Sequence, residues 1–106
     1  MRARLTPVSL VPYRPDARAI ECGACGRFCG TLRLVAWAQG EWRDAVARLP
    51  AGIVQQGSED GMPRYRKPAR IRRGTAHLDP VEVRLPFWLD CPTCGAGQVV
   101  DMSSRA

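Results

Sequence analysis

Two short segments with one spacing constrain this chain more than anything else in it. They are Cys22-Gly23-Ala24-Cys25-Gly26 and Cys91-Pro92-Thr93-Cys94-Gly95. Both read Cys-x-x-Cys-Gly. Two thiolates separated by two residues can grip one metal ion from a tight turn. The glycine that follows allows positive φ and lets backbone N–H groups point at sulfur. Together the two knuckles supply the four sulfurs of a closed tetrahedral zinc site. Sixty-five residues separate Cys25 from Cys91, so such a site would tie together parts of the chain that are far apart in sequence.

A chain of 106 residues suits one domain with a modest core, and its 45% hydrophobic content is too high for a disordered segment. No apolar run approaches the ~20 residues needed to span a bilayer. Residues 1–20 carry Arg2, Arg4, Arg14 and Arg18 but no continuous apolar stretch, so they do not read as a secretory signal. The expected compartment is the cytoplasm, where thiols stay reduced and paired cysteines bind metal more often than they form disulfides. Net charge is +6, from fifteen Arg and one Lys against ten acidic residues. The preference for Arg over Lys fits a GC-rich coding bias. The placement of the charge is more telling than its total.

Hydrophobic periodicity gives a β-rich outline. Residues 1–20 hold Pro7, Pro12 and Pro15, which block helix interiors, and are expected to form an extended N-terminal arm. Thr31 to Ala36 alternates polar and apolar residues as a strand does. From Gly40 to Leu49, the residues Trp42, Ala45, Val46 and Leu49 fall at i, i+3, i+4 and i+7, which predicts one short helix ended by Pro50. Residues 55–61 are polar and Gly-rich and read as a loop. Residues 64–73 put Arg64, Arg66, Arg70 and Arg72 on one face of a strand and Tyr65, Ala69 and Ile71 on the other. Pro68 places that strand at a sheet edge. Val81, Val83, Leu85, Phe87 and Leu89 alternate as one long strand running into the second knuckle, and Gln98 to Asp101 leaves it as another.

A strand entering a Cys-Pro-x-Cys-Gly knuckle and a strand leaving it resemble a zinc ribbon. The resemblance implies Cys22, Cys25, Cys91 and Cys94 as ligands of one structural zinc ion. It implies a small α+β domain of antiparallel strands, spanning 21–102, with residues 37–80 as an insertion carrying the helix and basic strand, and 103–106 as a tail. Many zinc ribbons bind nucleic acid or sit in transcription and translation machinery, and others are purely structural. The knuckles are also similar to those of rubredoxin, which holds iron. Rubredoxins are usually shorter and acidic, with an aromatic cluster after the first knuckle, where this chain has only Phe28.

Four thiolates around Zn²⁺ carry a formal charge of −2, and Arg27 is placed in sequence to offset it. Cys29 reads as a small buried apolar residue beside the site rather than a ligand. His77 lies in a turn and reads as neither ligand nor switch. Six of the ten residues from Arg64 to Arg73 are basic and none is acidic. Side chains at i and i+2 lie ~6.6 Å apart on a strand, close to the spacing of successive phosphates. Arg64, Arg66, Lys67, Arg70, Arg72 and Arg73 are therefore candidate contacts to nucleic acid. Trp88, opposite the apolar face of its strand, is a candidate stacking or anchoring residue, and Trp37 and Trp42 are expected in the core. There is no Ser-His-Asp pattern, no G-x-x-x-x-G-K and no H-E-x-x-H. The expectation is a non-catalytic binding protein with no small-molecule substrate, partnered by nucleic acid or a nucleoprotein complex. The alternative is an assembly subunit of a larger cellular or viral particle, using the arm and the Arg strand for protein contacts.

Overall fold

In the computed structural model, which describes residues 8–68 and 80–102, the chain forms nine β-strands. They are β1 Ser9–Arg14, β2 Ala17–Glu21, β3 Phe28–Ala38, β4 Glu41–Leu49, β5 Val54–Glu59, β6 Met62–Arg66, β7 Val81–Arg84, β8 Phe87–Asp90 and β9 Gly97–Val100. A five-stranded antiparallel sheet has the order β1-β2-β3-β4-β7. A four-stranded sheet has the order β5-β6-β8-β9, with β6 and β8 parallel. Their inward faces share one core. Ile20, Leu32, Leu34, Ala45, Ala47, Leu49 and Val83 come from the larger sheet, and Tyr65, Phe87, Leu89 and Val100 from the smaller. Tyr65 meets Phe87 edge-on at 5.7 Å between ring centroids, an arrangement aromatic pairs favour.

The expected helix is a strand. Residues 41–49 form β4, paired with β3 from Thr31↔Arg48 to Ala38↔Glu41. Ala45, Ala47 and Leu49 are buried at period two, while Asp44 and Arg48 lie on the other face. So short a segment fits both periods, and pairing with a long neighbour decides between them. The turn also favours a hairpin. Gln39 (φ 55°) and Gly40 (φ 78°) are both left-handed, the signature of a two-residue type I′ connection. The same chemistry recurs at Asp60 (φ 51°) and Gly61 (φ 78°), which join β5 to β6 where the sequence reads as a loop.

Within the expected extended arm, Ser9–Arg14 and Ala17–Glu21 are extended strands paired as a hairpin at the edge of the larger sheet, with a bulge near Pro12 that suits a residue lacking an N–H. Two further expectations are corrected. The basic strand β6 is not an edge, because it lies between β5 and β8. The long strand from Val81 to Leu89 is two strands in two sheets. Its chain changes sheets at Leu85-Pro86, where proline denies the ladder a donor. The alternation itself holds on both halves, with Val83, Phe87 and Leu89 buried.

At Gly30 two strands leave no room for a side chain. A Cβ there would lie 2.7 Å from the Arg48 carbonyl oxygen and 3.2 Å from Leu49 Cδ2. Gly40 faces open space. Gly30→Ala should therefore destabilise the zinc-loaded protein by about 2 kcal/mol or more, in the range of overpacked core sites. Gly40→Ala should cost about 1 kcal/mol, from backbone conformation alone. Urea unfolding midpoints of the two variants test this ordering, and equal midpoints would contradict it.

Candidate metal centre

The two knuckles are the loops of two hairpins. Residues 22–27 connect β2 to β3 in the larger sheet, and residues 91–96 connect β8 to β9 in the smaller. Their backbone hydrogen bonds correspond one to one. The Cys22 N–H donates to the Arg27 carbonyl at 2.9 Å and the Gly26 N–H to the Cys22 carbonyl at 2.8 Å. The Cys91 N–H donates to the Ala96 carbonyl at 2.9 Å and the Gly95 N–H to the Cys91 carbonyl at 2.8 Å. Gly26 (φ 76°) and Gly95 (φ 81°) hold the left-handed position that closes each turn. These bonds leave other N–H groups facing sulfur. Ala24 N donates to Cys22 Sγ at 3.3 Å, Thr93 N to Cys91 Sγ at 3.4 Å and Cys94 N to Cys91 Sγ at 3.5 Å.

The loops meet sulfur to sulfur. Cys22 Sγ lies 3.6 Å from Cys94 Sγ, and Cys25 Sγ lies 3.7 Å from Cys91 Sγ. All four sulfurs fall within 4.8 Å of one another. A tetrahedron of sulfurs with zinc–sulfur bonds of ~2.3 Å has edges of ~3.8 Å, so the cluster is already the size of a zinc site. Cys22 and Cys91 are buried, while Cys25 and Cys94 are exposed. One edge of the tetrahedron thus faces the core and the other faces solvent.

The protons on these sulfurs are unequally held. At Cys91, burial acts to raise the thiol, but N–H groups of Cys94 and Thr93 and the sulfurs of Cys25 and Cys22 bring it down to about 6. At Cys94, the Ala96 N–H acts to lower it. Burial and hydrogen bonding with Cys22, Cys25 and Cys91 prevail and raise it to about 12. Cys25 is also raised, the Arg27 N–H opposing burial and the Cys91 sulfur. A dication entering the cluster must displace these protons, which makes binding pH-dependent.

Cys29 belongs beside the cluster and not in it. The register steps from Ile20↔Gly30 to Glu21↔Phe28, so Cys29 is the extra residue of a bulge in β3. It is fully buried, and its Sγ contacts the Arg27 carbonyl at 3.4 Å. Burial, with the nearby Cys91 sulfur, pushes its thiol up to about 12. Arg27 serves the site through its carbonyl, which accepts from Cys22.

The remaining candidates separate. Arg64 is committed within the fold. Its Nη2 and Nε donate to Asp90 Oδ2 at 2.7 and 3.2 Å, and its Nη1 reaches Glu59 at 3.5 Å. Trp88 is half-buried; its Nε1 donates to Asp90 Oδ1 at 2.7 Å, and its ring lies over Gly97, where a Cβ would meet it at 2.5 Å. The tryptophan exposed to solvent is instead Trp37, 59% exposed, and Trp42 is half-buried against it. Arg66 is half-buried and Lys67 exposed. Arg70, Arg72, Arg73 and His77 lie outside the described residues. Asp90, one residue before the second knuckle, carried no signal in sequence because its partners come from other strands. No family model, curated protein or solved structure matches the chain.

Cys91→Ser should abolish stoichiometric zinc, read by elemental analysis, and with it cooperative unfolding. Cys29→Ala should keep one zinc per chain and cost about 1 kcal/mol. Zinc lost from Cys29→Ala but kept in Cys22→Ala would overturn the ligand set. Because protons compete with metal, zinc affinity should fall on acidification and drop steeply below pH about 6, where Cys91 also takes up its proton. A chelator competition measured from pH 5 to 8 checks the direction.

Proposed function

We propose that the chain is a non-catalytic accessory protein. A structural zinc ion holds its scaffold, and its basic segments contact nucleic acid or a nucleic-acid-handling complex. The observation that supports the metal half is the tetrahedron-sized cluster of four sulfurs. Four protein thiolates fill the shell of a zinc ion and leave no position for substrate or water, which fits a structural ion of the zinc-ribbon kind.

The observation that supports the partner is where the charge sits. Residues 8–68 and 80–102 contain ten basic and nine acidic side chains, so the nine-stranded fold is nearly neutral. Residues 1–7, 69–79 and 103–106 contain six basic and one acidic, and hold almost the whole surplus. Arg64 is spent on Asp90 and Glu59, which leaves Arg66, Lys67, Arg70, Arg72 and Arg73 as the contact set within the basic segment. Concentrated Arg is suited to phosphate oxygens, which it can take in paired bonds.

Binding of the zinc-loaded protein to a random duplex should weaken steeply with salt, by ~0.9 log units per log unit of salt for each phosphate neutralised. Replacing Arg66, Lys67, Arg70 and Arg72 with Gln should flatten that slope and leave zinc content unchanged. Replacing Arg64 should instead lower stability. Indifference of the wild-type protein to DNA and RNA at low salt would sink the nucleic-acid reading. An assembly role would then lead, and the exposed Trp37 at the β3–β4 hairpin tip favours it as a protein-anchoring residue.

A further inference from the structure

The inward face of the larger sheet extends past the core it shares with the smaller sheet. At that end lies a cleft of about 440 Å³ lined by Leu10, Arg18, Leu32, Leu34, Glu41, Trp42 and Met102. Such a volume is in the range of sites for small molecules, which combine an apolar wall with a few placed polar groups. Arg18 is one such group. It sits on β2 with Pro12 and Leu32 as its neighbours across the ladder, which puts it on the same face as the cleft floor. Its Nη1 is held by two carbonyls, Arg14 O at 3.1 Å and Ala17 O at 2.8 Å. Among the described residues, no carboxylate pairs with it, and Nε and Nη2 have no partner. That free edge of a guanidinium takes a carboxylate in two parallel hydrogen bonds. The acidic residue at the rim, Glu41, already pairs with Arg43 at 2.6 Å, so its charge is compensated.

We propose that this cleft binds a small amphipathic carboxylate, with the acid group on Arg18 and a short aromatic or aliphatic body against Leu10, Leu32, Leu34, Trp42 and Met102. The site differs from the knuckles in chemistry, and the proposal does not depend on the nucleic-acid reading. A guanidinium anchored to backbone is pre-organised and loses little freedom on binding, which favours a specific anion over a diffuse one.

The test uses the zinc-loaded, ¹⁵N-labelled full chain, titrated with 4-phenylbutyrate and with its neutral counterpart 4-phenylbutanol. The acid should produce saturable shifts at the amides of Leu10, Leu32 and Leu34 and at the Trp42 indole N–H. It should bind about tenfold or more tightly than the alcohol. Arg18→Met keeps an apolar stem and should erase that preference while leaving the alcohol's affinity unchanged. If Arg18→Met loses zinc or its dispersed spectrum, Leu10→Glu at the cleft serves instead and should weaken the acid more than the alcohol. Absence of saturable shifts at millimolar acid, equal affinity for acid and alcohol in the wild type, or shifts confined to residues outside the cleft would each overturn the proposal.

Discussion

The contact on which this fold depends is the meeting of four sulfurs from two hairpin loops. Each loop belongs to a different sheet, and the chain between them runs through six strands. A core of this size contributes little surplus once chain entropy is counted. A metal that joins residues 22 and 91 removes conformational freedom from the unfolded chain and adds binding free energy to the folded one. The position of the join matters as much as its strength. Both loops lie where a strand pair ends, so the ion pins one end of the shared core and leaves the rest to side-chain packing. With Cys22 and Cys91 buried and Cys25 and Cys94 exposed, the ion would sit at the boundary between core and water. There backbone N–H groups can neutralise sulfur on one side, and exchange with solvent metal can proceed from the other.

Much of this was legible in sequence, and the limits have physical causes. The clustering of the four cysteines was, because tetrahedral thiolate chemistry demands a local spacing that few other uses require. The inward faces of β3, β6 and β8 were, since alternation survives whatever the partner strand. Segment 41–49 was misread because Trp42, Ala45, Val46 and Leu49 fit a helical stripe, while Ala45, Ala47 and Leu49 fit the period of a strand as well. The decisive clue was the Gln39-Gly40 turn, whose left-handed pair sets the chain back on itself. Asp60-Gly61 offered the same clue more plainly. Sheet membership was not legible. Nothing local in Val81 to Asp90 says that its halves join different sheets, although Pro86 marks where one ladder must stop. The roles of Arg64 and Trp88 were also hidden, because Asp90 reaches them only once β6 and β8 run side by side.

Those two residues show how charge divides between structure and surface. An arginine in a basic run looks available until its partners are placed. Arg64 stands beside Trp88 in the ladder that leads to the second knuckle, and the fold consumes it. The net positive charge is carried largely by sequence outside the nearly neutral sheets. A scaffold with balanced charge does not repel itself.

The second knuckle shows why that consumption is useful. Cys91 follows Asp90 directly, so any drift of β8 would move a ligand. Asp90 is gripped by Arg64 from β6 through two bonds and by the Trp88 indole through a third. The Trp88 ring in turn covers Gly97, the first residue of the strand that leaves the knuckle. Both strands flanking the loop are thereby fixed on their outer face, while Leu89 and Val100 fix them on the inner. The first knuckle is held differently, by Ile20 and the Cys29 bulge packed beneath it. Polar clamping on one side and apolar packing on the other bring two identical turns to the separation a single ion requires. Loss of the Asp90 carboxylate should therefore loosen the metal without touching a ligand. Asp90→Ala is expected to keep four sulfurs yet release zinc to a chelator about tenfold more readily, as other changes behind a ligand do, and unchanged release would place the clamp outside the metal's support.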